Sequence, residues 1–311
     1  MDDREEGIRR HLEEIDPSME TLGAAGFFGV AINWRALDDS SDTPLCPIVV
    51  TPAHAVYEYA KQDQLHVEAQ HIKRRSFRLR IKDVFHLETR RNIIGSGLIL
   101  AVGAPFALLT LVAKTLFPGH FGKWVQNNRD RIDLPVNTFV QINAQSDEPA
   151  TIENPRQGFT DDEQADRVEN FLRTIGLVSG YAPFVIMMGH GSSSQNNPHM
   201  AAYDCGACSG RHGGPNARAF AAMANRPEVR TLLQQRGLEI PQDTVFLGAE
   251  HNTCDEVIEW YDMEQLSSEQ SLAWQTINDR LDQACRLSAH ERSRRFMSAS
   301  TGMNNNAALA H

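Results

Sequence analysis

Residues 189–214 concentrate side chains that can do chemistry. The stretch GHGSSSQNNPHMAAYDCGACSGRHGG holds two cysteines spaced Cys-x-x-Cys (Cys205, Cys208), three histidines (His190, His199, His212) and six glycines. Thiolate and imidazole are the donors that Zn²⁺ prefers, and a glycine-rich backbone can bend them toward one point. A closed four-cysteine site needs a second Cys-x-x-Cys, which the chain lacks. The pattern therefore suits a three- or four-ligand site that borrows from distant sequence, as catalytic zinc does. Other readings of the same residues stay open. The cysteine pair can be two small buried residues, and His199 and His212 ordinary loop histidines. Cys205 beside His190 can serve a cysteine-dependent hydrolase, although nothing marks an oxyanion hole or an acyl substrate. Cys254 and Asp255 read as outer partners of a site or as turn residues, and Cys46 and Cys285 as structural.

The elements that must position these residues alternate. Phe184–Met188 is a continuous apolar run, as in a strand buried on both faces, and it stops at Gly189-His190-Gly191. A second such run, Thr244–Leu247, stops at Gly248 and leads into Glu250-His251-Asn252-Thr253-Cys254-Asp255. Between them, 215–225 and 227–236 read as helices. Strand, helix, strand with polar residues past each carboxyl end is an α/β pattern, and open parallel sheets bind ligands there. Upstream, Thr-Asp-Asp-Glu (160–163) is a capping box for a helix with Val168, Phe171, Leu172 and Ile175 on its apolar stripe. Ile48–Thr51, between Pro47 and Pro52, reads as a strand or extended connector, and His54–Arg91 as long, polar and helical. Within it, 73–91 carries eight Lys/Arg against two acids. Ile93–Ala113 then runs without a charge, long enough to cross a membrane but interrupted by Gly95, Gly97, Gly103 and Pro105. Burial in protein, and contact with lipid or an integral-membrane partner, are the two readings of that run.

Composition narrows the class. At 311 residues, 41% hydrophobic and 23% charged, the chain can bury a core, which excludes disorder over most of its length. A net charge of −10 argues against a general nucleic-acid binder. Five unevenly spaced cysteines make a poor disulfide framework and suit a reducing compartment. The opening residues, rich in Asp, Glu and Arg, do not read as a secretory signal. A helix begins almost at once and the last fifteen residues lack periodicity, so a fragment of a longer protein is expected.

Four blocks in order, MDDREEGIRRHLEE, ETLGAAGFFGVAI, GHGSSSQNNPHMAAYDCGACSG and LGAEHNTCDEV, resemble the DabA family; CPIVV (46–50) is similar too. The resemblance implies the large subunit of an energy-coupled inorganic-carbon pump with a β-carbonic-anhydrase-like core. The expected fold is α/β, a mostly parallel sheet with flanking helices. A partial zinc domain would occupy 1–296, with a helical insertion at about 54–143 and a disordered tail at 297–311. The family holds Zn²⁺ through a Cys-x-Asp-x-Arg motif, a histidine after one strand and a later cysteine. Met1–Arg4 matches x-Asp-x-Arg, so Asp2 is the implied carboxylate ligand and Arg4 its partner, with the motif's cysteine falling just before Met1. His190 and Cys205 match the remaining ligands, which makes Cys208 a neighbour. The implied activity is CO₂ hydration to bicarbonate, with Asp2 and Arg4 gating the site. The implied setting is peripheral, on the cytoplasmic face of the inner membrane, beside an integral-membrane, cation-conducting, DabB-like subunit. A non-catalytic scaffold that binds the membrane partner is the reading from a different class.

Overall fold

The computed structural model describes residues 3–91, 93–146, 148–192, 211–300 and 302–310, and its architecture is mixed α/β. In chain order, helix α1 (Asp3–Ile15) precedes strands β1 (Ile32–Arg35), β2 (Thr43–Leu45) and β3 (His54–Ala60). Helices α2 (Leu65–Arg91), α3 (Ile93–Leu116) and α4 (Pro118–Asp133) follow, then β4 (Thr138–Gln141), β5 (Arg156–Gln157) and α5 (Asp161–Ile175). The last part runs β6 (Phe184–Gly191), α6 (Gly214–Ala224), α7 (Pro227–Gln235), β7 (Val245–Asn252), β8 (Val257–Trp260), α8 (Ser268–Ser293) and α9 (Asn305–Ala310). The described residues divide into two compact units: Tyr59–Phe139 forms one, and the residues on either side of it form the other.

Two sheets organise the larger unit. One has strand order β2-β1-β3-β4, with β5 on β3; the other has order β6-β7-β8. Both mix parallel and antiparallel pairs, so the expected parallel character holds for β6–β7, β1–β3 and β3–β5, while β1–β2 and β7–β8 are antiparallel. β6 is covered on both faces, as its apolar run requires. Met187 belongs to a core with Phe171, Phe220 and Phe246, whose rings lie 4.9 and 6.2 Å from that of Phe220 at their centroids. Ile186 and Met188 turn the other way, onto Leu12 of α1 and Leu281 and Ala284 of α8. Burying one such side chain contributes roughly 1.5–3 kcal/mol, so the two cores fix which way each β6 residue faces.

The capping box expected at the start of α5 is present. Thr160 accepts from the Glu163 backbone N–H at 3.3 Å, and the Glu163 carboxylate accepts from the Thr160 N–H at 2.8 Å. The Glu163 carboxylate also meets His54 of β3 at 3.2 Å and the Arg156 guanidinium of β5, so one cap joins three elements. Burial, and then the Arg167 charge, depress the His54 pKa.

Three local expectations are corrected. Residues 54–60 (HAVYEYA) form β3, because Val56, Tyr57 and Tyr59 favour a pleated strand and the segment pairs with β1 and β5. The helix starts only at Leu65. Residues 48–51 are no strand: Val50 N–H closes a turn onto Pro47 O at 2.8 Å, leaving Ile48 and Val49 exposed, and the strand here is β2. β6 and β7 run on to Gly191 and Asn252, so His190 and His251 lie inside strands instead of past them. Within the last fifteen residues, α9 packs against α8 and buries Ala308.

In the smaller unit α2, α3 and α4 pack on one another. Its two ends are tied together: Lys61 N–H donates to Asn137 O at 3.0 Å, His71 Nδ1 lies 2.8 Å from Leu134 O, and the Tyr59 and Phe139 rings are 5.9 Å apart. Among the described residues of Gly95–Leu116 none is buried.

Thr160→Ala should lower stability by about 1 kcal/mol, read as a fall in the thermal midpoint, while Thr160→Ser should keep most of it. An unchanged midpoint in the alanine variant would show that the Glu163 carboxylate holds the junction without the cap.

Candidate functional site

The β6–β7 register pairs His190 with His251 and Gly191 with Asn252. Partners in a parallel pair share a face, and successive residues alternate, so His190 and His251 continue the face of Ile186 and Met188. Both imidazoles are buried. His251 Nε2 lies 2.6 Å from Glu256 Oε2, and the other oxygen of Glu256 accepts from Arg292 of α8. Arg292 also donates to Thr253 O at 3.0 Å, and Thr253 N–H donates to Gly191 O at 3.0 Å. The β7–β8 turn is thereby tied both to the end of β6 and to α8. Glu256 has a φ of 58°, a left-handed conformation in a turn where its carboxylate meets His251 and Arg292.

Cys285 of α8 completes the cluster. Single ligand atoms of His251, Glu256 and Cys285 lie within 4.8 Å of one another, and all three residues are buried. Nitrogen, carboxylate oxygen and sulfur are donors that zinc accepts, so this trio could hold a metal ion. Burial, and then the charges of Glu256 and Asp282, push the Cys285 thiol far above its ordinary range. Without a cation beside it the thiol keeps its proton. Nearby, the exposed Cys254 has its Sγ 3.1 Å from Ser192 Oγ.

The opposite face of the sheet opens on a cleft of about 450 Å³, lined by Glu58, His212, Arg218, Glu250, Glu259 and Tyr261 among others. Glu250 Oε2 accepts from His212 Nδ1 at 2.7 Å, from Gly214 N–H at the start of α6 at 3.1 Å, and from Tyr261 Oη at 3.3 Å. A Cβ at Gly191 or Gly214 would come within 2.2 or 2.1 Å of the Glu250 carboxylate, so only glycine leaves room for it. Arg218 spans the cleft wall, donating to Asp262 at 2.8 and 2.6 Å and to Glu58 at 2.8 Å. Glu259 stands directly opposite Glu250 in the β7–β8 register. The cleft walls, and then the Glu250 charge, raise the Glu259 pKa, and burial with the same carboxylates pushes Tyr261 well up.

Of the residues expected to bind metal, His190 has a described side chain, and it is buried at the carboxyl end of β6. Asp2 and Cys205 lie outside the described residues. Arg4 is placed by its backbone in the first turn of α1. The His251–Glu256–Arg292 network has no counterpart among the residues expected from sequence, where Cys285 reads as structural. His251 and Glu256, five residues apart across a turn, are the available signal; their joining to α8 is not legible locally.

The family model for the probable inorganic carbon transporter subunit DabA matches residues 1–311. The probable inorganic carbon transporter subunit DabA of Methylococcus capsulatus is 53% identical over 304 residues, covering 96% of this chain and 28% of the relative. Its counterpart in Dechloromonas aromatica is 52% identical over 299 residues, 96% of this chain and 30% of the relative. That in Bacillus cereus is 34% identical over 311 residues, 100% of this chain and 35% of the relative. The chain thus spans about a third of the length of these relatives or less. No solved structure matches.

Two outcomes follow, one from the thiols and one from Glu259. At neutral pH an alkylating reagent should modify Cys254 in the native protein and spare Cys46 and Cys285 until denaturant is added, as peptide mapping would show; labelling of native Cys285 would refute its burial. Glu259 is exposed at the rim of the cleft, and its raised pKa means that it is protonated more readily folded than unfolded. It therefore destabilises the fold slightly as pH rises above the ordinary carboxylate range, solvent screening keeping the effect small. Glu259→Gln should therefore raise the thermal midpoint at pH 7, with the gain vanishing near pH 4. An equal gain at both pH values would exclude charge as its cause.

Proposed function

Because the chain belongs to the DabA family, we propose that it is the part of an inorganic carbon transporter subunit that carries a zinc-dependent site for hydrating CO₂ to bicarbonate. The observation that carries the reading is His190: a buried imidazole at the carboxyl end of a parallel strand, where open α/β sheets bind their ligands. The rest of the donor set is part of the proposal. Asp2 and Cys205 would join His190 as ligands, together with the motif's cysteine upstream of Met1. The reading places the domain at 1–296. Imidazole, thiolate and carboxylate suit zinc, which when bound activates water as a nucleophile near neutral pH.

The chain's own residues have separate tasks. His190 is held in orientation by β6 and by the neighbouring Thr253–Gly191 bond. Arg4 would draw the Asp2 carboxylate toward itself by a bidentate ion pair and so open or close the site. We place the chain on the cytoplasmic face of the inner membrane, peripheral to an integral-membrane, cation-conducting, DabB-like subunit. A non-catalytic scaffold role is favoured by one observation, the unburied α3, which asks for a partner whether or not metal is present.

Elemental analysis separates the two. We expect stoichiometric zinc in a version extended through the residue before Met1, less in the 311-residue chain, and loss in His190→Ala and Cys205→Ala. Zinc that survives both substitutions and leaves with Cys285→Ser would move the metal to the His251–Glu256–Cys285 trio. No zinc in either version would leave the scaffold.

A further inference from the structure

Helix α3 carries its apolar side chains into solvent. Leu100, Val102, Phe106, Leu108, Leu109 and Leu111 are each at least 59% exposed. At about 100° per residue these six positions fan round more than half of the helix. A groove on a protein partner covers one stripe of a helix, whereas lipid covers every side. The few hydroxyls on α3 are spent within it: Ser96 donates to Ile93 O at 2.9 Å, Thr110 to Phe106 O and Thr115 to Leu111 O at 2.7 Å. Such internal bonds are what a helix in hydrocarbon requires. Just before it, residues 73–91 of α2 bring eight Lys/Arg against two acids, a charge that suits anionic headgroups.

The ends of this unit decide how α3 can enter a bilayer. At 24 residues it is about 36 Å long, enough to span about 30 Å of hydrocarbon. A single crossing would leave α2 and α4 on opposite sides. Yet Lys61 is bonded to Asn137 and His71 meets Leu134, so the start of α2 and the end of α4 stay together. α4 offers no return crossing, since its second half reads QNNRDRID.

We propose that α3 embeds in one leaflet of an anionic bilayer without spanning it, with the basic stretch of α2 against the headgroups. The inference deepens the membrane-side placement proposed above. It is independent of the zinc site, so a failure of either is recognised by its own measurement.

The test is cosedimentation of the whole chain with sealed vesicles of phosphatidylethanolamine and phosphatidylglycerol in equal parts, compared with vesicles of phosphatidylcholine alone. The chain should bind the anionic vesicles and be released in part by high salt. Leu108→Glu with Leu109→Glu should weaken binding roughly tenfold or more while leaving the circular dichroism spectrum unchanged. A charge-reversed variant, Lys73→Glu with Arg74→Glu, which spares α3, should weaken binding to anionic vesicles alone. Trypsin added outside should still cut after Arg131, which is exposed. Absence of binding to any vesicle would overturn the proposal in favour of a groove on the membrane partner. Binding indifferent to both variants would overturn it as well, and protection of Arg131 would overturn the one-sided arrangement.

Discussion

The parallel pairing of β6 with β7, from Phe184 with Val245 to Gly191 with Asn252, decides which chemistry each face of the sheet carries. Side chains alternate with period two, so a slip by one residue would exchange the faces completely. In the observed register His190 and His251 lie with Ile186 and Met188 on the side of α1 and α8. Glu250 lies on the other side, over Gly191, where any side chain would collide with its carboxylate. The register is held from both sides: Met187 is locked into the phenylalanine core and Met188 into the contact with α8. Neither the buried imidazole pair nor the glycine-seated carboxylate would survive without it.

The Arg292–Glu256–His251 network depends on that register and reinforces it. Burying such charges costs several kcal/mol each, and their attraction in the interior roughly offsets this, so the network is poor ground for net stability. Its effect is on uniqueness. Removing one member would leave an uncompensated buried charge, a loss of about 3–5 kcal/mol, so alternative packings of α8 that separate Arg292 from Glu256 are strongly disfavoured. The left-handed Glu256 backbone lies in the turn from which the carboxylate reaches both partners.

Much of the local structure was legible in the residues themselves. The Thr160 cap, the two apolar strands and the helices between them follow from nearest-neighbour chemistry, and the structure places them within a few residues of expectation. What escaped depends on pairing between distant segments. β3 was hidden because HAVYEYA runs into a helical sequence and becomes a strand through its pairing with β1, β4 and β5. The strand ends were set short of His190 and His251 because Gly189 and Gly248 look like breakers. Both are needed for close approach instead: a Cβ at Gly248 would lie 2.7 Å from the Arg218 backbone, and one at Gly189 would lie 2.6 Å from that of Gly213. Arg292 and Cys285 gave no local sign, since nothing near them in sequence reveals that α8 lies against the β7–β8 turn.

The tie at the base of the smaller unit bears on how one chain can hold both a buried polar network and so apolar a helix. Closing a loop costs free energy only as the logarithm of its length, so a long insertion between β3 and β4 adds little if its ends already lie together. The Lys61–Asn137 bond and the Tyr59–Phe139 contact supply that closure. The three helices can then vary in length and polarity without disturbing the register that seats His190. An apolar surface inside the β6–β7–β8 layer would have to compete with the buried His–Glu–Arg network for the same space. Carried on a separately closed unit, it does not, and a polar site and so apolar a helix can coexist in one chain.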